Sequence, residues 1–482
     1  MKRVVLIAAA LFVTSCASEP PRAAAGKSAR VESCHYEARV ARTTPLLLDV
    51  RVQCAARGPL AFVASERPAA RHISKIVDAR GRALERQGAT FSMPSDAVTT
   101  ASFSYRVDLD GVAREAESFD IALRSGRSLI APTSTWILRP EPHTGHTEIT
   151  LRVHTPKDMG FVTGLTPVGD GYRMDAHEVR VSTYAVFGPR HVETLMLPGP
   201  LSRARESSSQ SRLTVAFADG PLDLKREIVT DWVGGSARAV GKFWGGFPVQ
   251  HSLVVVLPSE GQRGVSFGKV LPESSPGIVI VLGEKSDAES LKDDWVLVHE
   301  LFHLGFPSFQ GEGKWLDEGL ATYYEPIIRA RAGTKTENEV WAEFAHAMPQ
   351  GLPAMQNEGL ENTKSYRGIY WGGALVALLA DVEIRERSGG KQGLEAGLLK
   401  VLEAGGNASE VWTLEQAMRV CDASAGLGTL RALAERHAHR GSPVDLDALW
   451  RKLGVVRLRR GVRLTDDAPL SQIRKAIVFG AP

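Results

Sequence analysis

The sequence predicts an α+β, multidomain chain: an N-terminal β-sandwich, a middle unit of strands followed by a pair of helices, and a C-terminal α-helical lobe. Three observations predict it. Short alternating apolar/polar segments recur between residue 30 and about residue 200, and Gly, Pro and Asp break them up; several strands at that spacing suggest a sandwich. Buried-type apolar runs and helical periodicity then follow one another as strand, strand, helix, helix. Beyond residue 362 helical spacing dominates. At 482 residues there is room for three domains, and 43% hydrophobic content supports real cores. The expected boundaries are 1–16, 17–30, 31–205, 206–362 and 363–482.

Residues 1–16 read as an export signal. Lys2 and Arg3 form a basic start, and the apolar run 4–13 is too short to span a bilayer. Val13-Thr14-Ser15-Cys16 follows and resembles a bacterial lipoprotein signal. Cys16 would then be lipidated and become the first mature residue, and acyl chains would tie the protein to a membrane. Ala17 stands where an Asp would hold such a protein in the inner membrane. The expected location is the bacterial cell envelope, lipid-anchored and outside the cytoplasm. Residues 17–30, rich in Ala, Pro and Ser, read as a tether.

The sandwich expected over 31–205 includes F-S-Y-R-V-D-L at 103–109, T-E-I-T-L-R-V at 147–153 and E-V-R-V-S-T-Y-A-V-F at 178–187. Asp110-Gly111, Pro140, Pro142 and Gly169-Asp170-Gly171 punctuate them. Cys34 and Cys54 bracket two alternating runs. If these form a hairpin turning near Thr44, the two cysteines face each other, and an exported domain can join them. Cys421 is left over, and no Cys-x-x-Cys is present. His143 and His146 sit in a Pro/Gly/Thr loop and read as solvated.

A Pro/Ser/Arg stretch at 197–210 suggests a domain boundary. R-L-T-V-A-F-A then reads as a strand, 222–243 as an amphipathic helix, and 252–257 and 277–282 as buried strands. The stretch that the rest serves comes next: D-W-V-L-V-H-E-L-F-H-L-G-F, a short loop, and K-W-L-D-E-G-L-A-T-Y-Y-E. On a helix, residues four apart share a face, so His299 and His303 can grip one ion. Glu300 is placed to take a proton from water at that ion. Neutral imidazoles suit Zn²⁺, and a catalytic zinc keeps three protein ligands. Glu318 is the expected third ligand. Thr322, one turn further on, is a candidate to orient a ligand, with Asp317 and Glu325 as weaker candidates. The helical lobe follows, with helices expected at 364–385, 394–402, 413–421 and 427–439. Another helix begins near Asp445, and a basic tail V-R-L-R-R-G-V-R-L reads as the solvated face of an edge strand.

His299-Glu300-Leu301-Phe302-His303 together with W-L-D-E-G-L-A-T-Y-Y-E resembles the gluzincin metallopeptidases. It is similar to the aminopeptidase N superfamily and closer to its glycyl aminopeptidase-type relatives. The resemblance implies a thermolysin-like catalytic domain, one zinc ion per chain held by His299, His303 and Glu318, and a peptide or protein substrate. Tyr370-Trp371-Gly372-Gly373-Ala374-Leu375-Val376 is similar to the helix start whose tyrosine hydrogen-bonds the oxyanion in those families, which implies that role for Tyr370; a Lys of that motif is Gly372 here. Two further departures matter. Only 14 residues separate His303 from Glu318, a shorter loop than is usual in the aminopeptidase N type. The stretch 263–268 holds no carboxylate where those aminopeptidases bind a free amine, so aminopeptidase and endopeptidase readings stay open.

Composition excludes other classes. A net charge of +3 gives no footing for nucleic acid, and neither a P-loop nor a dinucleotide fingerprint occurs. The expected function is a lipid-anchored, zinc-dependent metallopeptidase. The alternative is a non-catalytic binding protein on a peptidase-like scaffold.

Overall fold

The computed structural model describes residues 30–480 apart from 94–99, 145–146, 175–181, 189–190, 201–209, 273–274 and 426–427. Cys16, most of the tether, His146 and part of the 178–187 stretch lie outside the described residues.

Alternating side chains make the first two strands, Arg30–Thr43 and Leu46–Arg57, an antiparallel hairpin that turns at Thr44 and Pro45. They sit at the centre of a seven-stranded sheet, between Glu148–His154, which pairs in parallel, and Thr100–Asp108. The inward residues Tyr36, Val50, Val52, Phe103 and Tyr105 share one core with Phe62 and Phe91 of a four-stranded sheet and with Leu129, Ala131 and Phe187 of another. That is the sandwich the alternation predicts. Cys34 and Cys54 are register partners with Cα atoms 4.0 Å apart, and they form a disulfide. Cys421 is free and buried.

A five-stranded mixed sheet follows, in the order His191–Pro198, Gln210–Phe217, His251–Ser259, Gly277–Gly283, Val265–Leu271. Its three inner strands are parallel and mostly apolar, as suits strands covered on both faces. On one face Val254, Val256, Ile278 and Ile280 pack with the helices Arg226–Trp244 and Val296–Phe302. On the other, Val255 and Val279 pack with Ile130, Tyr184 and Val186 of the sandwich. The boundary expected at residue 205 falls between two paired strands, His191–Pro198 and Gln210–Phe217. The Pro/Ser/Arg composition that suggested a linker joins strands of one sheet, so this sheet starts upstream of the expected boundary.

The lobe holds the helices Gly373–Arg387, Leu394–Glu403, Leu414–Ala425, Thr429–His437 and Leu446–Leu453. Asp445 caps the last of these, accepting the Ala448 N–H at 2.8 Å. The basic tail is a hairpin, and a further helix, Ser471–Phe479, follows it. Among the described residues no helix is long and apolar enough to cross a membrane.

Two helices of this half touch backbone to backbone. A Cβ on Gly319, in Lys314–Arg331, would run into the backbone carbons of Gly373, and one on Gly373 into the Trp315 carbonyl. The Tyr323 hydroxyl, on the first helix, donates to Asp381 on the second at 2.9 Å, and Arg385 donates to the same carboxylate at 2.9 Å. Overpacking a contact of this kind costs about 1–3 kcal/mol. The Gly319→Ala protein should therefore unfold at lower urea concentration, with a loss of stability of that order.

Candidate active site

The motif helix Val296–Phe302 is short, and two local devices hold it. Asp294 caps its start, accepting the N–H groups of Val296 at 3.1 Å and Leu297 at 3.0 Å. Burial pushes the Asp294 carboxyl up to about 6 despite these hydrogen bonds. The helix is sunk in the core through Leu297, Leu301 and Phe302, none of which is exposed. His303 stands at its end with φ −55° and ψ −25°, still helical, so it keeps one face with His299. Their rings lie 5.0 Å apart.

The partner helix Lys314–Arg331 begins after Gly313, whose φ of 105° suits glycine. Glu361 anchors that start by accepting the Gly313 N–H at 2.8 Å and the Trp315 indole N–H at 2.6 Å. The short connection is pinned midway, where Ser308 and Phe309 pair with Val411 and Trp412. So 14 intervening residues suffice to bring Glu318 to the histidines. Its Oε2 lies 3.2 Å from His299 Nε2 and 3.7 Å from His303 Nε2. One ligand atom from each of His299, His303 and Glu318 falls within 4.8 Å of the others.

The electrostatics of this cluster favour a cation. Burial works against a charge on His303, but the carboxylates of Asp317 and Glu318 outweigh it and hold its pKa well above the usual imidazole value. Burial likewise pushes Glu318 up, yet the hydrogen bonds from His299 and His303 leave it well below the carboxylate range. A field that keeps a proton at this point also suits a divalent ion in its place. The donor set of two imidazole nitrogens and a carboxylate oxygen is that of zinc hydrolases. Asp317 orients the ring: its Oδ1 accepts from His303 Nδ1 at 2.8 Å, which leaves Nε2 facing Glu318 and the shared site. His299 Nδ1 is buried without a hydrogen-bond partner among the described residues.

Glu300 lies beside these three residues and is 9% exposed. Its Oε2 accepts the Val270 N–H at 2.9 Å, and burial, partly offset by the two histidines, raises its pKa. Val270 belongs to the edge strand Val265–Leu271, and that strand comes so close that a Cβ on Gly268 would sit 2.8 Å from Glu300 Cγ. The sandwich braces the strand from behind, through Asp120 on Lys269 at 2.8 Å and Phe119 on Phe267.

Tyr370 sits in a wide π-type turn, Gly368–Gly372, at the head of Gly373–Arg387. Its ring stacks on His299 with centroids 5.6 Å apart and on Tyr366 at 4.0 Å. Burial, the Glu318 charge and Tyr366 hold the phenol protonated, far above its ordinary range.

The structure thus brings together His299, Glu300, His303, Glu318 and Tyr370. It does not bring Thr322 to a ligand carboxylate, because its hydroxyl is spent on the Glu318 backbone carbonyl at 2.7 Å, one turn back. Glu325 points away and pairs with Arg329 at 3.0 Å in the core, and burial raises its carboxyl to about 8. Sequence reasoning ranked Asp317 low and did not see the Val270 amide. The only signal for Asp317 was its place directly before Glu318.

No protein-family model matches the chain, and no curated protein matches it in sequence. Solved structures do match. An aminopeptidase N family protein from Idiomarina loihiensis superposes with a TM-score of 0.65 at 14% identity, over 88% of this chain and 78% of that one. The M1 zinc metallopeptidase from Deinococcus radiodurans gives 0.52 at 14% identity, over 86% of this chain and 95% of that one. A mutant M1 zinc metallopeptidase from the same organism, bound to a Tyr-Ser-Ala substrate, gives 0.50 at 13% identity over 87% and 96%. The fold is that of the aminopeptidase N-like M1 metallopeptidases, a gluzincin type, as the motifs suggested.

Replacing Asp317 with Asn should weaken zinc binding about 10–100-fold, because it loosens His303 without removing a ligand. Titration against a chromophoric chelator measures this; an unchanged affinity would sink the orienting role.

Proposed function

We propose that the chain is a zinc-dependent metallopeptidase. The observation that carries this reading is the convergence of His299, His303 and Glu318 on one point, with Glu300 beside them on a separate hydrogen bond. These three residues would hold the ion. When bound, zinc supplies Lewis acidity at the scissile carbonyl and acidifies the attacking water. Glu300 takes the water's proton and passes it to the leaving nitrogen; the raised pKa that burial gives it suits a group that must both accept and release a proton. The protonated Tyr370 phenol donates to the oxyanion of the tetrahedral species. The edge strand Val265–Leu271 is the outermost of its sheet, and an extended peptide can add to its free side.

Peptide as the substrate class is supported by the fold neighbours, one of which binds Tyr-Ser-Ala. The stretch 263–268 carries Arg263 and no carboxylate, so that strand offers no group to capture a free amine, and products cut from the N-terminus or internally tell the aminopeptidase and endopeptidase readings apart. The basic start, the apolar run and Cys16 support export and lipidation. The Cys34–Cys54 disulfide fits the oxidising compartment such a protein would enter.

The wild-type protein should carry about one zinc per chain, and H303A should lose it. E300Q should keep the metal while hydrolysis of a mixed peptide library falls by roughly 10²–10⁴-fold. Full activity in E300Q would refute the role of Glu300. Zinc without any cleavage in the wild type would favour the binding-protein alternative. In cells, labelling with a radioactive fatty acid should be seen in the wild type and lost in C16S; equal labelling of both would remove the lipid anchor.

A further inference from the structure

We propose that the C-terminal hairpin, Val455–Arg457 paired with Val462–Leu464, docks on an anionic phospholipid surface. The inference is independent of the peptidase reading. The hairpin is built on a firm base. Val455 and Val462 are buried in the main core. Asn338 donates to the Val462 carbonyl at 3.2 Å, and the His346 ring meets the Gly461 carbonyl at 3.1 Å. The turn closes through Leu458 N–H to Gly461 oxygen at 3.2 Å, with Gly461 at φ 72°.

Leu464 packs against the same core, and residues 456–460 and Arg463 are exposed. Arg457, Arg459, Arg460 and Arg463 are exposed, and none has a hydrogen bond or ion pair among the described residues. Glu337, Glu343 and Asp466, on the helix beside the hairpin or just after it, are already paired with other cations. Arg474 holds Glu337 and Asp466, Lys475 also holds Asp466, and Lys335 holds Glu343. Four uncompensated guanidinium groups therefore stand within seven residues of a chain whose net charge is only +3. Leu458, between Arg457 and Arg459, is 46% exposed, and Val456, just before Arg457, is 37% exposed.

Charge alone would serve to protect a strand edge from pairing. Two bare aliphatic side chains at the same place do not serve that end. Guanidinium groups match phosphate oxygens, and an aliphatic tip gains by sinking below the phosphates. A bilayer offers both at once, whereas a soluble polyanion offers only the first.

The test uses the full chain carrying C16S, so that no acyl chain contributes. Co-sedimentation is measured with vesicles of phosphatidylcholine alone and with phosphatidylglycerol added, at low and at physiological salt. The protein should bind only the anionic vesicles, more weakly as salt rises. R459Q/R460Q should cut partition ~30-fold, taking about fivefold per cation. L458S should cut it about tenfold, with zinc content and far-UV circular dichroism unchanged in both variants. Equal binding by the wild type and both variants overturns the proposal. So does binding that needs the arginines, ignores Leu458 and is competed by dextran sulfate, which would point to a soluble polyanion.

Discussion

One carboxylate has to reach two imidazoles, and much of the C-terminal half is arranged around that reach. His299 and His303 come paired, because four residues of helix place them on one face. Glu318 comes from another helix, and its distance depends on where that helix begins and how closely it packs. Glu361 fixes the start and the Gly319–Gly373 contact the packing. That glycine contact also sets Tyr370, since the π-type turn carrying it runs directly into Gly373. Glu318 and Tyr370 thus owe their positions to one helix contact. The pinned strand pair Ser308–Phe309 and Val411–Trp412 explains why a short loop is enough.

The cluster is costly to bury. His299, Glu300 and His303 are each less than a tenth exposed, and Glu318 is only slightly more open at its side chain. Isolated charges in such a place would shift to their neutral forms. Here the shifts oppose one another: Glu318 is held ionised by the imidazoles, His303 is held charged by Asp317 and Glu318, and Glu300 is pushed toward its neutral form by burial. Two carboxylates in one site with pKa values driven apart can take different jobs, one as ligand and one as proton carrier.

The N-terminal sandwich also takes part. It supports the edge strand through Asp120 and Phe119, and the strand in turn supplies the Val270 amide to Glu300 and lies against it through Gly268. The position of Glu300 thus depends on a contact between halves of the chain that are distant in sequence. A side chain larger than hydrogen at residue 268 would press on the very group that the strand orients.

What the sequence determined by itself was what local periodicity encodes. Residues four apart on a helix, alternation along the strands, the register of Cys34 with Cys54 and the cap at Asp445 all depend on neighbours a few residues away or on a single hairpin. The triad of His299, His303 and Glu318 was legible because its motifs name the residue types and place a carboxylate close after the histidines, and the resemblance pointed to the same residue. Tertiary structure decided the rest. Asp317 became the partner of His303, and Thr322 turned to a carbonyl, because the rotation of one helix against another chooses which of several polar neighbours faces the site. The Val270 amide could not be read, since backbone groups are alike in every sequence. The boundary near residue 205 misled for a related reason: composition marks a connection but not what it connects, and strand pairing across it is a long-range fact.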